Sequence, residues 1–194
     1  MAGLYFEEFE VGREFHHEFS RTVTEMDNTM FSLLTMNPQP LHLDAHFSEN
    51  TEFGQRLFNS LYTLAIMIGM SVYDTTLGTT IGNLGMTDVK FPKPVFHGDT
   101  LKAHTKIISK RISKSRPTQG IVEFEHTATN QRGDSVCIPC TNQVLELSVV
   151  PCSNRSCVNS PASFVCAIAY SPSTVHISRR LSARSACCAG VAVA

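Results

Sequence analysis

The sequence predicts an α+β domain in which one long antiparallel sheet wraps a single apolar helix, and three observations lead there. Residues 57–73 (LFNSLYTLAIMIGMSVY) contain no charged side chain, and their apolar residues lie all round the helix instead of along one stripe. The segments that follow, 87–91, 99–113, 120–131 and 135–148, alternate apolar with polar residues at the period of a half-solvated strand. Short turn signals, Arg116-Pro117 and Arg132-Gly133-Asp134, join the later segments as a meander.

The elements follow in order. With 194 residues and 42% hydrophobic side chains, the chain is long enough for one domain with a sizeable core. Thr24 stands three residues before Asp27, a variant of the capping box, ahead of Met26, Met30, Phe31, Leu33 and Leu34. A short amphipathic helix is predicted there. Pro38 and Pro40 then forbid regular helix and hold the chain extended, so that the loop presents His42. The 57–73 helix is expected to be buried on nearly every side, with Asn59 or Ser60 as its N-cap. At seventeen residues with several polar ones it is a poor membrane span, for which about 20 apolar residues are needed. In the 120–131 strand, Val122, Phe124, His126 and Ala128 face one way and Glu123, Glu125, Thr127 and Thr129 the other. A sheet of such strands around one apolar helix is the hot-dog architecture.

Charge and composition limit the partners. Sixteen basic against seventeen acidic residues give a net charge of −1, so no basic field stands ready for nucleic acid or an anionic membrane. The first residues, MAGLYFEEFEVG, are acidic where an export signal would be basic and then apolar, and an intracellular, cytoplasmic protein is expected, its organelle unspecified. Composition changes abruptly near Ser148. All acids lie before it, whereas residues 149–194 carry Arg155, Arg179, Arg180 and Arg184 and five of the seven cysteines. A domain over 1–148 followed by a poorly ordered Cys-, Ser- and Ala-rich tail is the expectation.

The loop Asn37-Pro38-Gln39-Pro40-Leu41-His42 resembles the signature of the MaoC-like, or R-specific enoyl-CoA hydratase 2, family, whose usual form is Gly-Asp-x-Asn-Pro-Leu/Ile-His. Pro40, Leu41 and His42 match directly, while Met36 stands for the Gly, Asn37 for the catalytic Asp and Gln39 for the Asn. The resemblance extends through YFEEFEVG (5–12), RTVTEMD (21–27), the apolar helix and KFPKPVFHGDTL (90–101), and covers most of residues 5–148. It implies a hydro-lyase that adds water to an enoyl-CoA thioester or removes it, with no metal or redox cofactor, coenzyme A being part of the substrate. Asn at the first position is similar to the subgroup acting on branched or dicarboxylic esters, the mesaconyl-CoA and β-methylmalyl-CoA hydratases and dehydratases. By the same resemblance the partner is an acyl-CoA ester and the chain forms a homodimer, two sheets joining at an otherwise unpaired edge.

The resemblance assigns proton transfer to His42, with Asn37 orienting water or the acyl group. An amide cannot exchange a proton near neutral pH, so the usual Asp–His division of labour is altered here. Asp44 is a further candidate carboxylate, although an Asp before AHFSEN more often caps a helix. Negative charge developing on a thioester oxygen calls for free N–H groups at a helix start, and Asn59, Ser60 and Leu61 are the candidates. Lys90, Phe91 and Lys93 are candidates for contact with coenzyme A. Cys137-x-x-Cys140 lies in a predicted strand and reads as buried thiols. His16, His17, His97, His104 and His126 share no metal-ligand spacing along the chain, and His46 reads as structural or solvent-facing. Two alternatives remain: a hot-dog thioesterase, which would need a carboxylate in mid-helix that 57–73 lacks, and a catalytically silent acyl-CoA binding module, which Asn37 permits.

Overall fold

A computed structural model describes residues 3–148, with backbone alone for 139–143; the expected tail, 149–194, lies outside the described residues. In chain order the elements are β1 (Glu14–Thr22), α1 (Glu25–Leu34), α2 (Pro40–Leu43), α3 (Ala45–Glu49), α4 (Ser60–Thr75), β2 (Thr80–Gly85), β3 (Thr100–Ile112), β4 (Gln119–Thr129) and β5 (Ser135–Ser148). The strands form one antiparallel sheet in the order β1-β3-β4-β5-β2, with α4 packed against β1, β3 and β4. This is the hot-dog architecture that the helix and the alternating strands predict.

Each strand of the β3–β5 meander is long enough to serve two halves of the core. Toward one end, Ile66, Met67 and Met70 of α4 meet Leu101, Ala103, Ala128, Val136 and Cys137. Toward the other, Ile107, Val122, Phe124, Leu145 and Leu147 are covered by Phe6 and Phe9 from a 3-10 turn at Phe6–Glu8. Phe9 meets Phe124 edge-to-face at 5.3 Å. The inward residues Val122, Phe124, His126 and Ala128 are buried as their alternation requires.

Four expectations need correction. The segment 87–91 is not a strand: Lys90 makes a single isolated bridge to Ile138, because Pro92 and Pro94 follow it and remove the donors a ladder needs. The central helix begins at Ser60 with Asn59 as its cap, and it is not enclosed on every side. A stripe at four-residue intervals, Leu61, Ala65, Gly69 and Tyr73, is exposed, with Leu61 at 60% and Tyr73 at 47%. The sheet of one chain reaches only part of the way round it. Pro40 does not keep the loop extended but opens the one-turn helix α2, since a proline at the first helical position lacks only an N–H that would be unpaired anyway.

Helix α1 is inverted relative to expectation. The capping box is present, with Thr24 Oγ1 accepting from Asp27 N–H and Asp27 Oδ2 accepting from Thr24 N–H. Yet Met26, Met30, Leu33 and Leu34 are exposed, while the buried residues are polar, Asn28 and Ser32. The reason is local. The face of α1 turned inward meets the start of α4, where backbone groups need partners more than carbon does.

Candidate active site

The site is built where α1, the α2 loop and the first turn of α4 converge. α1 ends in a complete Schellman motif, Asn37 N–H donating to Ser32 O at 2.8 Å and Met36 N–H to Leu33 O at 3.1 Å, with Met36 in the left-handed region at φ 53°. That motif delivers Asn37, half-buried, at the start of the proline loop. Its Oδ1 accepts from Gln39 N–H at 3.1 Å, so the side-chain carbonyl shapes the loop. Two prolines further on, α2 presents His42.

His42 is held by its own strand of contacts. Its Nδ1 lies 3.0 Å from Leu57 O, and a carbonyl only accepts, so Nδ1 carries a proton and Nε2 is the ring nitrogen not used in this bond. Asn28 organises the surroundings of both. Fully buried, its Nδ2 lies 3.0 Å from His42 O, 2.9 Å from Leu57 O and 3.0 Å from His97 Nε2, and its Oδ1 accepts from Asn59 N–H at 2.9 Å. One amide thus ties the His42 loop to the first residues of α4. Burial, followed by the nearby Arg56 cation, lowers the pKa of His97. A neutral His97 keeps the Nε2 lone pair that Asn28 donates to. Arg56 in turn pairs with Glu25 Oε1 at 2.7 Å. Phe31 stacks on Tyr62 at 4.7 Å between ring centres, fixing α1 against α4.

The three amides expected at the helix start are not equivalent. Asn59 N–H is taken by Asn28, and Leu61 N–H by the capping Asn59 Oδ1 at 3.0 Å. Ser60 N–H takes part in neither bond. It is also Ser60, with Leu57, Phe58 and Thr63, that lines a half-open pocket of about 290 Å³ whose other walls are Phe53, Phe91, Pro92, Lys93, Pro94, Val95 and Val136. The first residue of α4, at the positive end of the helix dipole, therefore borders a largely apolar space.

The candidates divide accordingly. The structure brings together His42, Leu57 and Asn59 through the side chains of His42 and Asn28, and places Ser60, Phe91 and Lys93 on the pocket wall. Lys90 is engaged through its backbone with Ile138 and does not line the cavity. Asn37 and His42 do not line it either, and no hydrogen bond joins them among the described residues; Leu57, whose carbonyl holds His42, is the link. Asp44 caps α3, its Oδ1 accepting from Phe47 N–H at 3.0 Å. His46 is exposed. Cys137 is buried as expected, whereas the side chain of Cys140 lies outside the described residues. The mid-section of α4 carries no carboxylate; Asp74, in its last turn, receives His17 Nδ1 at 2.8 Å.

Sequence reasoning missed Asn28 and His97. A polar residue on the inward face of an otherwise apolar helix was the available signal for Asn28. It also missed a pairing across strands: His16 and His104 are register partners on β1 and β3 with ring centres 4.5 Å apart, and Glu14 stands beside them.

With this geometry in view, comparison with known proteins is decisive for the family. The profile described as MaoC like domain matches residues 7–130. The chain belongs to the MaoC-like domain family. It is 31% identical over 129 residues to the β-methylmalyl-CoA dehydratase of Chloroflexus aurantiacus, covering 66% of this chain and 36% of that protein. It is 27% identical over 135 residues to the mesaconyl-CoA hydratase of Cereibacter sphaeroides, covering 70% and 39%. The chain thus spans little more than a third of the length of these curated relatives. Among solved structures, a monoamine oxidase regulatory protein from Archaeoglobus fulgius superposes with a TM-score of 0.70 at 30% identity, covering 78% of this chain and 98% of that one. Among the described residues no helix is long and apolar enough to cross a membrane.

Proposed function

We propose that this chain is a hydro-lyase adding water reversibly across the double bond of an enoyl-CoA thioester. The observation that carries this reading is His42, its Nδ1–H fixed on Leu57 O and its Nε2 not engaged by that bond, one residue-to-residue link from a largely apolar pocket that Leu57 and Ser60, the first residue of α4, help to line. In the forward direction His42 Nε2 takes a proton from water, and the hydroxide adds to the β-carbon. The resulting enolate places its charge on the thioester oxygen, which Ser60 N–H and the helix dipole stabilise. The proton then returns from His42 to the α-carbon. Asn37 orients the water or the acyl group. No cofactor enters this scheme beyond the coenzyme A carried by the substrate.

The names of the relatives favour a branched or dicarboxylic acyl group, and Lys93 on the cavity wall suits an anionic acyl end or a coenzyme A phosphate. A homodimer accords with the exposed α4 stripe and with β2, an edge strand carrying exposed Ile81 and Leu84. Sedimentation showing only monomer at micromolar concentration would remove that part of the reading.

The test is a panel of straight-chain, branched and dicarboxylic enoyl-CoA esters, followed by loss of the conjugated thioester absorbance. Wild type hydrates at least one; His42→Ala abolishes that activity, and Asn37→Ala lowers it by roughly 10²-fold. Asn37→Asp keeps or raises turnover of straight-chain esters and disfavours dicarboxylic ones through charge repulsion. Equal activity of wild type and His42→Ala would refute the site. One observation favours a second reading: Asn37 spends its carbonyl on Gln39 N–H, as a residue retained for loop shape alone would. Binding of the esters without turnover of any would select a silent binding module.

A further inference from the structure

We infer that Glu14, His16 and His104 form a binding site for a divalent transition-metal ion on the outer face of the β1–β3 ribbon. One ligand atom from each, the ring nitrogens of the two histidines and a carboxylate oxygen of Glu14, lies within 4.8 Å of the other two. The cluster is invisible along the chain because His16 and His104 are 88 positions apart, and only the register of β1 on β3 sets them opposite one another. Glu14 and His16 are two apart on one strand and so share a face, the face opposite to buried His17.

Two features make this a ligand set and not merely a polar surface. First, His104 Nε2 is shielded from solvent and forms no hydrogen bond among the described residues; its nearest partner, Glu14 Oε2, is 3.5 Å away. That is long for a hydrogen bond, but it is the edge length of a tetrahedron whose ligands stand about 2.1 Å from a central zinc. Second, the carboxylate is divided between two tasks. Lys106 Nζ holds Oε1 at 3.1 Å, orienting the group and leaving Oε2 turned toward His104.

Two imidazoles and one carboxylate select zinc, nickel, cobalt or copper over magnesium or calcium, which prefer an all-oxygen shell. The place in the fold gives the ion a task. β1 is an edge strand, and its register on β3 shifts between His16 and Ser20, so the ladder is interrupted just past His16. An ion bridging His16, Glu14 and His104 pins the edge at the last regular pair before that irregularity.

The test uses the full chain, titrated with ZnCl2 by calorimetry and followed by thermal unfolding. Wild type binds one equivalent that depends on these residues, and its Tm rises with ZnCl2. Glu14→Gln, His16→Ala and His104→Ala each weaken that equivalent by at least about tenfold and abolish the Tm rise, while any equivalents held by cysteine thiols remain. Glu14 and His16 are exposed, so their variants report on binding even if His104→Ala perturbs the sheet. Variants that bind zinc as wild type does, a wild type that shows neither heat nor Tm shift at millimolar ZnCl2, or an equal response to MgCl2 would each overturn the site.

Discussion

Replacing Asn28 by Ala should damage stability and catalysis together, and the size of the effect follows from its contacts. The side chain is fully buried and serves four partners: the carbonyls of His42 and Leu57, His97 Nε2 and the N–H of Asn59. Removing it orphans Asn59 N–H, itself only 3% exposed, at a cost of about 1–3 kcal/mol for an unsatisfied buried donor. Leu57 O keeps the proton of His42 Nδ1, but His42 O and His97 Nε2 each lose a donor, about 1 kcal/mol apiece. The expected loss is about 3–5 kcal/mol, read from urea unfolding by circular dichroism because the chain has no Trp. Asn28→Asp separates the roles: it keeps the acceptor for Asn59 but turns a second oxygen toward two carbonyls, so it should be at least as harmful. Hydration should fall by roughly 10²-fold, the effect of misplacing reacting groups by about 1 Å. Met30→Ala, on the exposed face of the same helix, should stay within about 0.5 kcal/mol of wild type. Loss of under about 1 kcal/mol in Asn28→Ala, with hydration unchanged, would refute the idea that one amide joins the loop to α4.

Other expectations can be checked alongside. Burial alone would raise the pKa of Asp99, but hydrogen bonds from Arg132, Phe96 N–H and Gln131 outweigh it and hold the carboxyl below its usual range. Because the folded value is the lower one, its stabilisation is present above the ordinary carboxylate range and is lost as pH falls below about 4. Asp99→Asn should therefore cost about 2 kcal/mol at neutral pH, a difference that narrows in acid denaturation profiles. In β4, a Cβ on Gly120 would stand 2.0 Å from Cδ2 and 2.2 Å from Cγ of Phe6, so Gly120→Ala must move the whole ring, lowering stability by about 1–3 kcal/mol in urea unfolding. A chain ended at Ser148 should keep a cooperative melting transition, since both halves of the described core close within β5; loss of cooperativity would show that residues 149–194 contribute to it.

What was legible in the sequence depended on how strongly burial disciplined each segment. β3 and β4 sit inside the sheet with one face on the core, and their alternation is clean. The edge strands β1 and β2 are the ones that went unread: EFHHEFSRT buries only His17, and TIGNLG contains two glycines and buries none of its residues. The capping box of α1 was readable because it is local, three residues apart. Its orientation was not, since exposing four large apolar residues to bury Asn28 makes sense only once α4 lies beneath it. At the site, His42 and the start of α4 were found from a motif and from helix-end chemistry. Asn28, His97 and the Glu14–His16–His104 cluster depend on register and packing, which spacing along the chain does not encode.

Met36 occupies a left-handed backbone position at φ 53°, where the usual signature has glycine, and its side chain is 88% exposed. A side chain there costs about 1–2 kcal/mol in backbone strain. Glycine would relieve that while loosening the unfolded chain by only about 0.4–1 kcal/mol, so strain outweighs entropy and methionine carries a net cost on the order of 1 kcal/mol. The two bonds that close the end of α1 come from the backbone and hold whichever residue is present. The motif therefore tolerates methionine at a modest cost in stability, and Asn37 is delivered to the same place without the glycine. A missing glycine in such a signature thus weakens the fold slightly and leaves the shape of the neighbouring loop intact.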